Sequence, residues 1–496
     1  MRFFGINQGR HDGGIACFDE NGELLIFSQS ERLSRKKADC DVGNLAAILK
    51  AAGIEPVRKG DLFFNTWPRH YRNFYDHEVW PKNFMGGRHR ALIPQFNAAR
   101  QVHFLNHHMC HVASSWMFRE TETPEESLYI ALDGNGFRED GTENCYSVGV
   151  ISPTTFREQH FKLLRQQFSP HERLDKIFLP NTHFTHVAGK LMGLAGYVPQ
   201  HEIRRLPHTH DTRHLSERIK RDGLTKDLMA ECASAYQSYI QDLKEHLGTE
   251  LAGYPHRSIV VGGGAFLALE LNTWLVEQGK QLIFGPPTDD SGIALGSAAY
   301  GYFLVKGRWP KRISTAFLQW HPNELRQHYF SPAQVTEFLL HGEIVGLLTG
   351  KGEAGPRALG NRSLLALPTR QNAHRVSVEI KGREFYRPVA PVVTDRDAAN
   401  WFYGPPGRYM QFRNLCTARA MDIVPGVVHH DNSARAQVLQ PDDHPWLYEL
   451  LTEVGKHTSA ECLINTSLNG RGRPICNTLA DAVEEISGND IRVVSF

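Results

Sequence analysis

The sequence predicts an alternating α/β protein of two or more domains, and three observations predict it. Short apolar runs at 128–133 and 257–261 close on Gly134 and on Gly262-Gly263-Gly264, and strand followed by glycine-rich turn is how nucleotide-binding α/β folds bring backbone N–H groups up to phosphate. Helical periodicity fills the stretches between such runs. The 496 residues also exceed what one hydrophobic core supports.

Taken in order, residues 2–7, 13–18 and 23–28 read as strands. Asn21-Gly22 between the last two marks a hairpin of type I′, which requires positive φ at both central positions. His11, Asp12, Gly13 and Gly14 place small and polar groups at the first bend. Helices are predicted over 44–52, 106–118, 215–248, 266–278 and 292–305. From 306 to 331 the chain is rich in Pro, aromatic and basic residues with poor periodicity, and a helix over 332–340 and a strand over 343–348 follow. This puts a domain boundary near 310–335 and divides the chain into 1–320 and 321–496. No internal repeat or low-complexity tract is visible.

Composition narrows the function classes. With 41% hydrophobic and 22% charged residues and a mean hydropathy of -0.39, collagen-like, disordered and disulfide-scaffold classes are excluded. The 55 Lys+Arg against 54 Asp+Glu exclude a nucleic-acid coat working by bulk charge, though not a local basic groove. Eight scattered cysteines without a Cys-x-x-Cys read as reduced thiols. The N-terminus lacks the features of a secretory signal and no apolar run approaches membrane-spanning length, so a cytoplasmic protein with no membrane partner is expected.

Two sets of residues are suited to chemistry. His107 and His111, four apart on one helical face, can grip one ion, with His108 facing elsewhere. Asp133 and Asp290 sit in turns where such folds display ligands, and either also suits an N-cap. Beyond residue 350, charged residues fall beside Gly, Pro and Ser in four segments, around Arg357, Arg387, Arg435 and Arg471/Arg473. Guanidinium forks match phosphate and carboxylate geometry, so these segments suggest a converging anion site, with surface salt bridges and turn punctuation as the plainer alternatives.

In order along nearly the whole chain stand His11-Asp12, Ser30-Glu-Arg-Leu-Ser-Arg-Lys-Lys37, His107-His-Met-Cys-His111-Val-Ala-Ser, Gly189-Lys190-Leu-Met-Gly-Leu-Ala-Gly-Tyr197 and Gly262-Gly-Gly-Ala. Asp290-Ser-Gly-Ile-Ala-Leu-Gly, Gly355-Pro-Arg-Ala-Leu-Gly-Asn-Arg-Ser363, Arg387-Pro-Val-Ala-Pro391 and Asn465-Thr-Ser-Leu-Asn469 follow. This ordered set resembles the O-carbamoyltransferase family that includes the Nod-factor and tobramycin-type carbamoyltransferases. The resemblance implies an actin/hexokinase-like ATPase-fold N-terminal domain, similar to the threonylcarbamoyl-transfer enzyme, and a smaller α/β domain that forms carbamoyl-adenylate. It implies that carbamoyl phosphate and ATP, with Mg²⁺, give carbamoyl-adenylate and pyrophosphate, and that the carbamoyl group then passes to a hydroxyl with release of AMP.

Matched position by position, the resemblance makes His107, His111, Asp133 and Asp290 the ligands of a divalent metal, commonly iron, with manganese or zinc also compatible. It puts Gly262, Gly263, Gly264 and Lys190 at the nucleotide of the transfer domain, and His11, Asp12 and Lys36 near the acceptor hydroxyl, His11 as base. Arg357, Arg387, Arg435 and one of Arg471 or Arg473 become the carbamoyl phosphate and ATP clamp, alongside Asn361, Arg362, Ser363, Lys381, Asn465, Ser467 and Asn469. Departures from the family pattern before Gly355 and at Tyr386 and Val389 read as packing variations. The end at Phe496 reads as trimmed of an element that commonly closes the second domain, which puts full closure in question.

The motifs do not fix the acceptor or the oligomeric state. A sugar or natural-product hydroxyl is the first expectation, and the hydroxymethyl group of a modified pyrimidine in DNA the alternative. Two stretches favour the latter: 67–104 (Trp67, Arg69, His70, Arg72, Trp80, Lys82, Arg88, His89, Arg90, Arg100, His103) and 203–226 (Arg204, Arg205, His208, His210, Arg213, His214, Arg218, Lys220, Arg221, Lys226). A solvated helix face is the plainer reading. A non-catalytic actin-like ATP-binding scaffold would explain the glycine turns but not the arginines beyond residue 350. A hydrogenase-maturation carbamoyltransferase would bring Cys-x-x-Cys zinc modules that this sequence lacks.

Overall fold

The computed structural model describes residues 1–8, 11–43, 45–66, 88–93, 98–122, 125–138, 143–162, 174, 177, 179, 187–207, 212–322, 329–486 and 490–496. The first sheet grows from the expected hairpin. Strands β1 (Phe3–Asn7), β2 (Gly14–Phe18) and β3 (Leu24–Gln29) pair antiparallel. On the other side of β1, β4 (Leu62–Asn65) runs parallel to it, and beyond β5 (Arg88–Ile93) the chain returns as β6 (Ala98–Phe104), parallel to β4. The hairpin turn differs from the type I′ expectation, because only Gly22 takes a positive φ, of 88°. Asp19 closes the turn instead, its Oδ1 accepting from the N–H groups of Asn21 and Glu23 at 2.9 and 2.8 Å. This is the Asx-type device by which a side chain replaces backbone turn geometry.

The second sheet repeats the first. Strands β7 (Ser127–Phe137), β8 (Glu143–Ile151) and β9 (Phe156–Lys162) pair antiparallel, and β10 (Ser258–Gly262) and β11 (Gln281–Ile283) extend the other side of β7 in parallel. Each sheet is thus three antiparallel strands followed by two parallel ones on the far side of the first strand. Two copies of this strand order, with helices between them, are the duplicated core of the actin/hexokinase-like fold. Helices His107–Trp116 and Ile293–Lys306 fill the space between the sheets, in one buried cluster that takes Phe3, Ala16 and Phe27 from the first sheet and Tyr129, Ala131 and Val260 from the second. A Cβ at Gly296 would fall 1.8 Å from the Cys110 carbonyl oxygen, so the two helices cross where glycine alone fits.

The expected helix over 215–248 is two helices, Arg213–Asp222 and Lys226–Leu251. Gly223, at φ 73°, ends the first, and the Thr225 side chain caps the second by accepting from Leu228 N–H. The helix expected from 266 begins later, at Leu269, after a tight turn over Gly264–Leu267.

Strand β12 (Phe317–Gln319) adds to the first sheet beside β3, and β13 (Ile344–Leu348) opens a new one. The chain then returns through β14 (Gly352–Glu353) to pair with β12, so a strand beyond residue 320 belongs to the first sheet. The new sheet continues through β15 (Arg362–Ala366) and β16 (Ala390–Thr394). A small antiparallel sheet of β17 (Phe402–Tyr403), β18 (Asn414–Cys416) and β19 (Ser433–Ala434) intervenes. Strands β20 (Gln437–Leu439), β21 (Cys462–Ser467) and β22 (Ile491–Ser495) complete the order β20-β16-β21-β15-β13-β22. Helices Pro332–Leu340 and Pro445–Thr458 cover one face over Val345, Leu365, Val392 and Leu463. The eight cysteines are free thiols, and among the described residues no helix is long and apolar enough to cross a membrane.

His444 caps the helix Pro445–Thr458, its Nδ1 accepting from Leu447 N–H at 3.2 Å. Burial pushes this imidazole down from 6.5 to about 4, with Glu353 opposing. Between those values the unfolded chain binds a proton that the folded chain refuses. The contribution is therefore complete above pH 6.5 and is lost as pH falls, by about 3 kcal/mol near pH 4. In His444→Asn an amide oxygen can accept the same bond without titrating, so the gap in urea midpoint between parent and variant will narrow from neutral pH to about pH 5. A gap independent of pH contradicts the assignment.

Candidate active site

Asn106 starts the histidine helix, its side chain accepting from Met109 N–H at 3.2 Å. From that start His107 and His111 project on one face, with their Nε2 atoms 3.1 Å apart. Asp290 Oδ1 lies 3.3 and 3.2 Å from those nitrogens, and Asp133 Oδ2 lies 3.5 and 3.8 Å away. The four donor atoms fall within 4.8 Å of one another. Two imidazoles and two carboxylates at this spacing fit a divalent cation of the iron, manganese or zinc type. The Thr66 hydroxyl, 3.0 Å from His107 Nδ1, turns Nε2 toward the carboxylates, as the partners of metal-binding histidines commonly do. Burial opposes the charged form of His111, but Asp133 and Asp290 override it and raise its pKa to about 10, so cation binding must displace a proton. His108 points away, to Ser147 Oγ at 2.8 Å.

The glycine run serves this centre. A Cβ at Gly262 would meet the His111 backbone at 2.8 Å, and Gly263, at φ 103°, would put one 2.0 Å from the Leu132 carbonyl oxygen. Gly264 N–H donates to Asp133 Oδ1 at 3.0 Å and aims that carboxylate. Of the three, Gly264 faces the cavity described below, and Gly262 and Gly263 do not. Both pack against the backbone that carries the centre, at His111 and Leu132. Asn7, fully buried at the end of β1, was not singled out by sequence. Its Nδ2 donates to the carbonyls of Asp12 and Asp290 at 2.7 and 3.1 Å and ties the first bend to the metal-ligand loop.

His11 Nδ1 contacts Asp12 Oδ2 at 2.7 Å and Asp290 Oδ2 at 3.6 Å. Burial would lower its pKa, yet Asp290 and Asp12 raise it to about 9. At neutral pH the ring is an imidazolium as long as the Asp290 charge is uncompensated, which differs from a ready-made base. Lys36 is exposed and outside the cavity, and Lys37, next to it, lines the wall. The helix Ser30–Ser34 ends at Arg35 in the left-handed region, so the register of the following residues differs from a continued helix.

A cavity of about 1260 Å³ is lined by residues from both before and after residue 320. His11, Asp12, Asp133 and Asp290 line one part of it, and Arg357, Lys381, Arg383, Arg387, Arg435, Ser467, Asn469, Arg471 and Arg473 line another. Burial lowers the pKa of Arg357 to about 10 against the pull of Asp289, and burial with Arg387 and Arg357 lowers Arg383 to about 9, while Arg435, buried beside Arg357, Arg383 and Arg387, falls well below the usual range. Among the described residues, no carboxylate forms an ion pair with Arg357, Arg383 or Arg435, and the buried Nε of Arg435 has no hydrogen-bond partner. Like charges desolvated together, outnumbering the carboxylates beside them, suit a polyanion. Arg387 has Glu384 beside it at 3.5 Å, and Lys190 also engages Glu384. Lys381 is held by the Ser467 carbonyl and Asn469 Oδ1. Arg383 is a member the site assignment from sequence omitted, although Lys381-Gly-Arg383 was legible as a cationic turn.

Four residues assigned to the clamp lie outside the cavity. Arg362 is fully buried in β15, its guanidinium donating to the carbonyls of Thr349, Asn361 and Gly350 at 2.7, 2.8 and 3.0 Å and to that of Asn477. Asn361 binds Thr349 Oγ1 and the Lys351 carbonyl, and Asn465 binds the Ala358 carbonyl and Gln437. Ser363 is fully buried. These side chains build the loop that presents Arg357. The centre of that loop is Glu353, whose Oε1 accepts from the N–H groups of Leu359, Gly360, Asn361 and Arg362 at 2.8, 3.1, 2.9 and 3.0 Å. Glu353→Ala strips four buried donors of their acceptor and will cost about 3–5 kcal/mol in urea unfolding. Glu353→Gln, which keeps one oxygen, will cost less, and a loss under about 1 kcal/mol for the alanine contradicts this role.

Part of the second basic stretch is neutralised locally. Arg205 pairs with Asp242 and Glu245, His214 and Arg218 with Glu231, and Arg221 with Asp222. In the first stretch, Trp67, Arg69, His70, Arg72, Trp80 and Lys82 lie outside the described residues, as do His208 and His210 of the second. Arg88, His89, Arg90 and Arg100 fall on the paired strands β5 and β6.

Residues 336–496 match the family described as carbamoyltransferase C-terminus. The chain is similar to nodulation protein NolNO of Sinorhizobium fredii, 26% identical over 548 residues that cover 98% of this chain and 78% of that protein. It is 35% identical to nodulation protein U of the same organism over 241 residues, 46% of this chain and 42% of that protein. Among solved structures, HypF of T. kodakarensis is similar over 61% of this chain and 47% of that chain, at 13% identity and a TM-score of 0.39. The repeated strand order, not this likeness, carries the fold assignment.

Proposed function

We propose, from the premise that residues 336–496 are a carbamoyltransferase C-terminal domain, that this chain is an ATP-dependent O-carbamoyltransferase working in two steps within one cavity. The observation that supports it is the continuity of that cavity from the clustered arginines to the His₂Asp₂ centre. In the first step carbamoyl phosphate gives up phosphate to water, a carbamate oxygen attacks the α-phosphorus of ATP, and pyrophosphate leaves. Arg357, Arg383, Arg387 and Arg435 bind and orient the phosphates, and fixed cations in a desolvated site favour the charge that develops on them. Mg²⁺ accompanies ATP.

In the second step the acceptor hydroxyl attacks the carbamoyl carbon and AMP departs. A divalent cation on His107, His111, Asp133 and Asp290, iron first among the candidates, would supply Lewis-acid polarisation there. Asp12 orients His11, which donates a hydrogen bond to an anionic group while protonated and accepts the hydroxyl proton once the Asp290 charge is taken up. The cavity walls exclude water from a mixed anhydride that water would destroy.

The acceptor proposed is a sugar or natural-product hydroxyl, since Arg205, His214, Arg218 and Arg221 of the second basic stretch are engaged with Glu and Asp. Mass spectrometry over a panel of sugars, aminoglycosides and hydroxymethylated DNA, each with carbamoyl phosphate and ATP, tests this. Gain of one carbamoyl group by a small hydroxyl compound supports it. Modification of the DNA alone, with salt-sensitive binding, overturns the acceptor class and leaves the reaction standing.

A further inference from the structure

We infer that the strap 29–39 sets the spacing between the two half-sites, with Arg32 and Arg35 as positioning residues, an inference that rests on the two-step reading above. The strap touches both reacting regions. At its far end the carbonyls of Ala38 and Asp39 accept from Asp12 and Gly13 N–H at 3.3 and 2.7 Å and brace the bend that carries His11. At its start Gln29 Oε1 accepts from Gly355 N–H at 3.0 Å, and Arg32 Nη2 donates to the Gly355 carbonyl at 2.7 Å, two residues before Arg357. Gly355 itself, at φ 89°, leaves no room for a Cβ, which would fall 2.4 Å from the Pro286 carbonyl oxygen, just before the loop that carries Asp290.

Arg35 makes the longest reach. It takes a left-handed conformation, φ 61°, which turns its side chain out of the helix and into the C-terminal domain. Its guanidinium donates to the Ile475 and Pro474 carbonyls at 2.6 and 2.8 Å and to Glu485 Oε1 at 2.6 Å, and Arg473 Nη1 returns a bond to the Arg35 carbonyl at 3.2 Å. The Arg35 and Glu485 side chains are 15% and 7% exposed, so this pair is largely desolvated rather than a surface bridge. Neither arginine of the strap meets the reacting atoms. Arg32 ties the strap to the Arg357 loop and Arg35 ties it to the segment 473–485, while the far end of the strap braces the His11 bend.

Loosening the strap exposes the intermediate to water. Water attacks the carbamoyl carbon, the bond to the adenylate oxygen breaks, AMP leaves with the electron pair, and the carbamic acid decomposes to carbon dioxide and ammonia. The test follows pyrophosphate formation from carbamoyl phosphate and ATP with no acceptor present. The parent should give one stoichiometric burst and then turn over slowly. Arg35→Met should keep the burst and raise the slow phase by about tenfold or more, since small misplacements in such sites have large rate effects. Glu485→Gln should act in the same direction, and Arg35→Lys should fall between. A slow phase equal to the parent's in both Arg35→Met and Glu485→Gln overturns the inference, and so does a joint fall of burst and slow phase, which marks a general defect. A parent that makes no pyrophosphate overturns the two-step reading itself, so the two failures are distinct.

Discussion

His111→Ala will empty the metal site and stop carbamoyl transfer, while carbamoyl-phosphate-dependent pyrophosphate formation continues near the parent rate. The ring is fully buried and its Nε2 stands 3.2 Å from Asp290 Oδ1, so alanine removes one of four donors and leaves two carboxylates facing each other across a void. Elemental analysis should show the bound transition metal falling well below one per chain. Transfer should fall by on the order of 10³-fold, the scale of the several kcal/mol that a Lewis acid contributes. Retained metal with unchanged transfer would contradict the assignment of His107, His111, Asp133 and Asp290.

Arg435→Ala will do the reverse. Its guanidinium is desolvated beside Arg357, Arg383 and Arg387 and, among the described residues, has no carboxylate in an ion pair with it. Removing one preorganised cation from a phosphate site costs about 10²–10³-fold in rate, so pyrophosphate formation should fall by that factor. Stability should move the other way, because the variant relieves repulsion among four neighbouring cations. Without ligand its melting temperature should equal or exceed the parent's, and added pyrophosphate should raise it less than it raises the parent's. Lysine at the same position should restore little, lacking the planar fork. A variant that melts lower and loses both half-reactions would show Arg435 to be a framework residue like Arg362.

How much of this was legible depended on range. Asn21-Gly22 marks a hairpin, and Asn106 before His107 marks a helix start, because both signals are local. The repeat of one strand order in two sheets was not visible, because pairing β7 with β10 joins Ile130 to Val261 across a long insertion that no local pattern encodes. Arg357, Arg387 and Arg435 stood out beside Gly, Pro and Ser, and the structure brings them together with Arg383. Arg362 carried the same local signature yet lies in a buried strand, and the apolar Leu364-Leu365-Ala366 after it was the sign of that. Asn7 and Glu353 act through backbone groups that the fold brings to them, so their residue types alone gave no signal. The glycines at 262–264 were readable as a tight turn, but what the turn packs against, His111 and Leu132, is a tertiary fact.

Whether the arginine cluster activates carbamoyl phosphate with ATP is decided by the products of labelled ATP. AMP and pyrophosphate should form in equal amounts, only when carbamoyl phosphate is present, and should form still in protein stripped of its transition metal in the presence of Mg²⁺. ADP and phosphate as products, or ATP cleavage indifferent to carbamoyl phosphate, would contradict it.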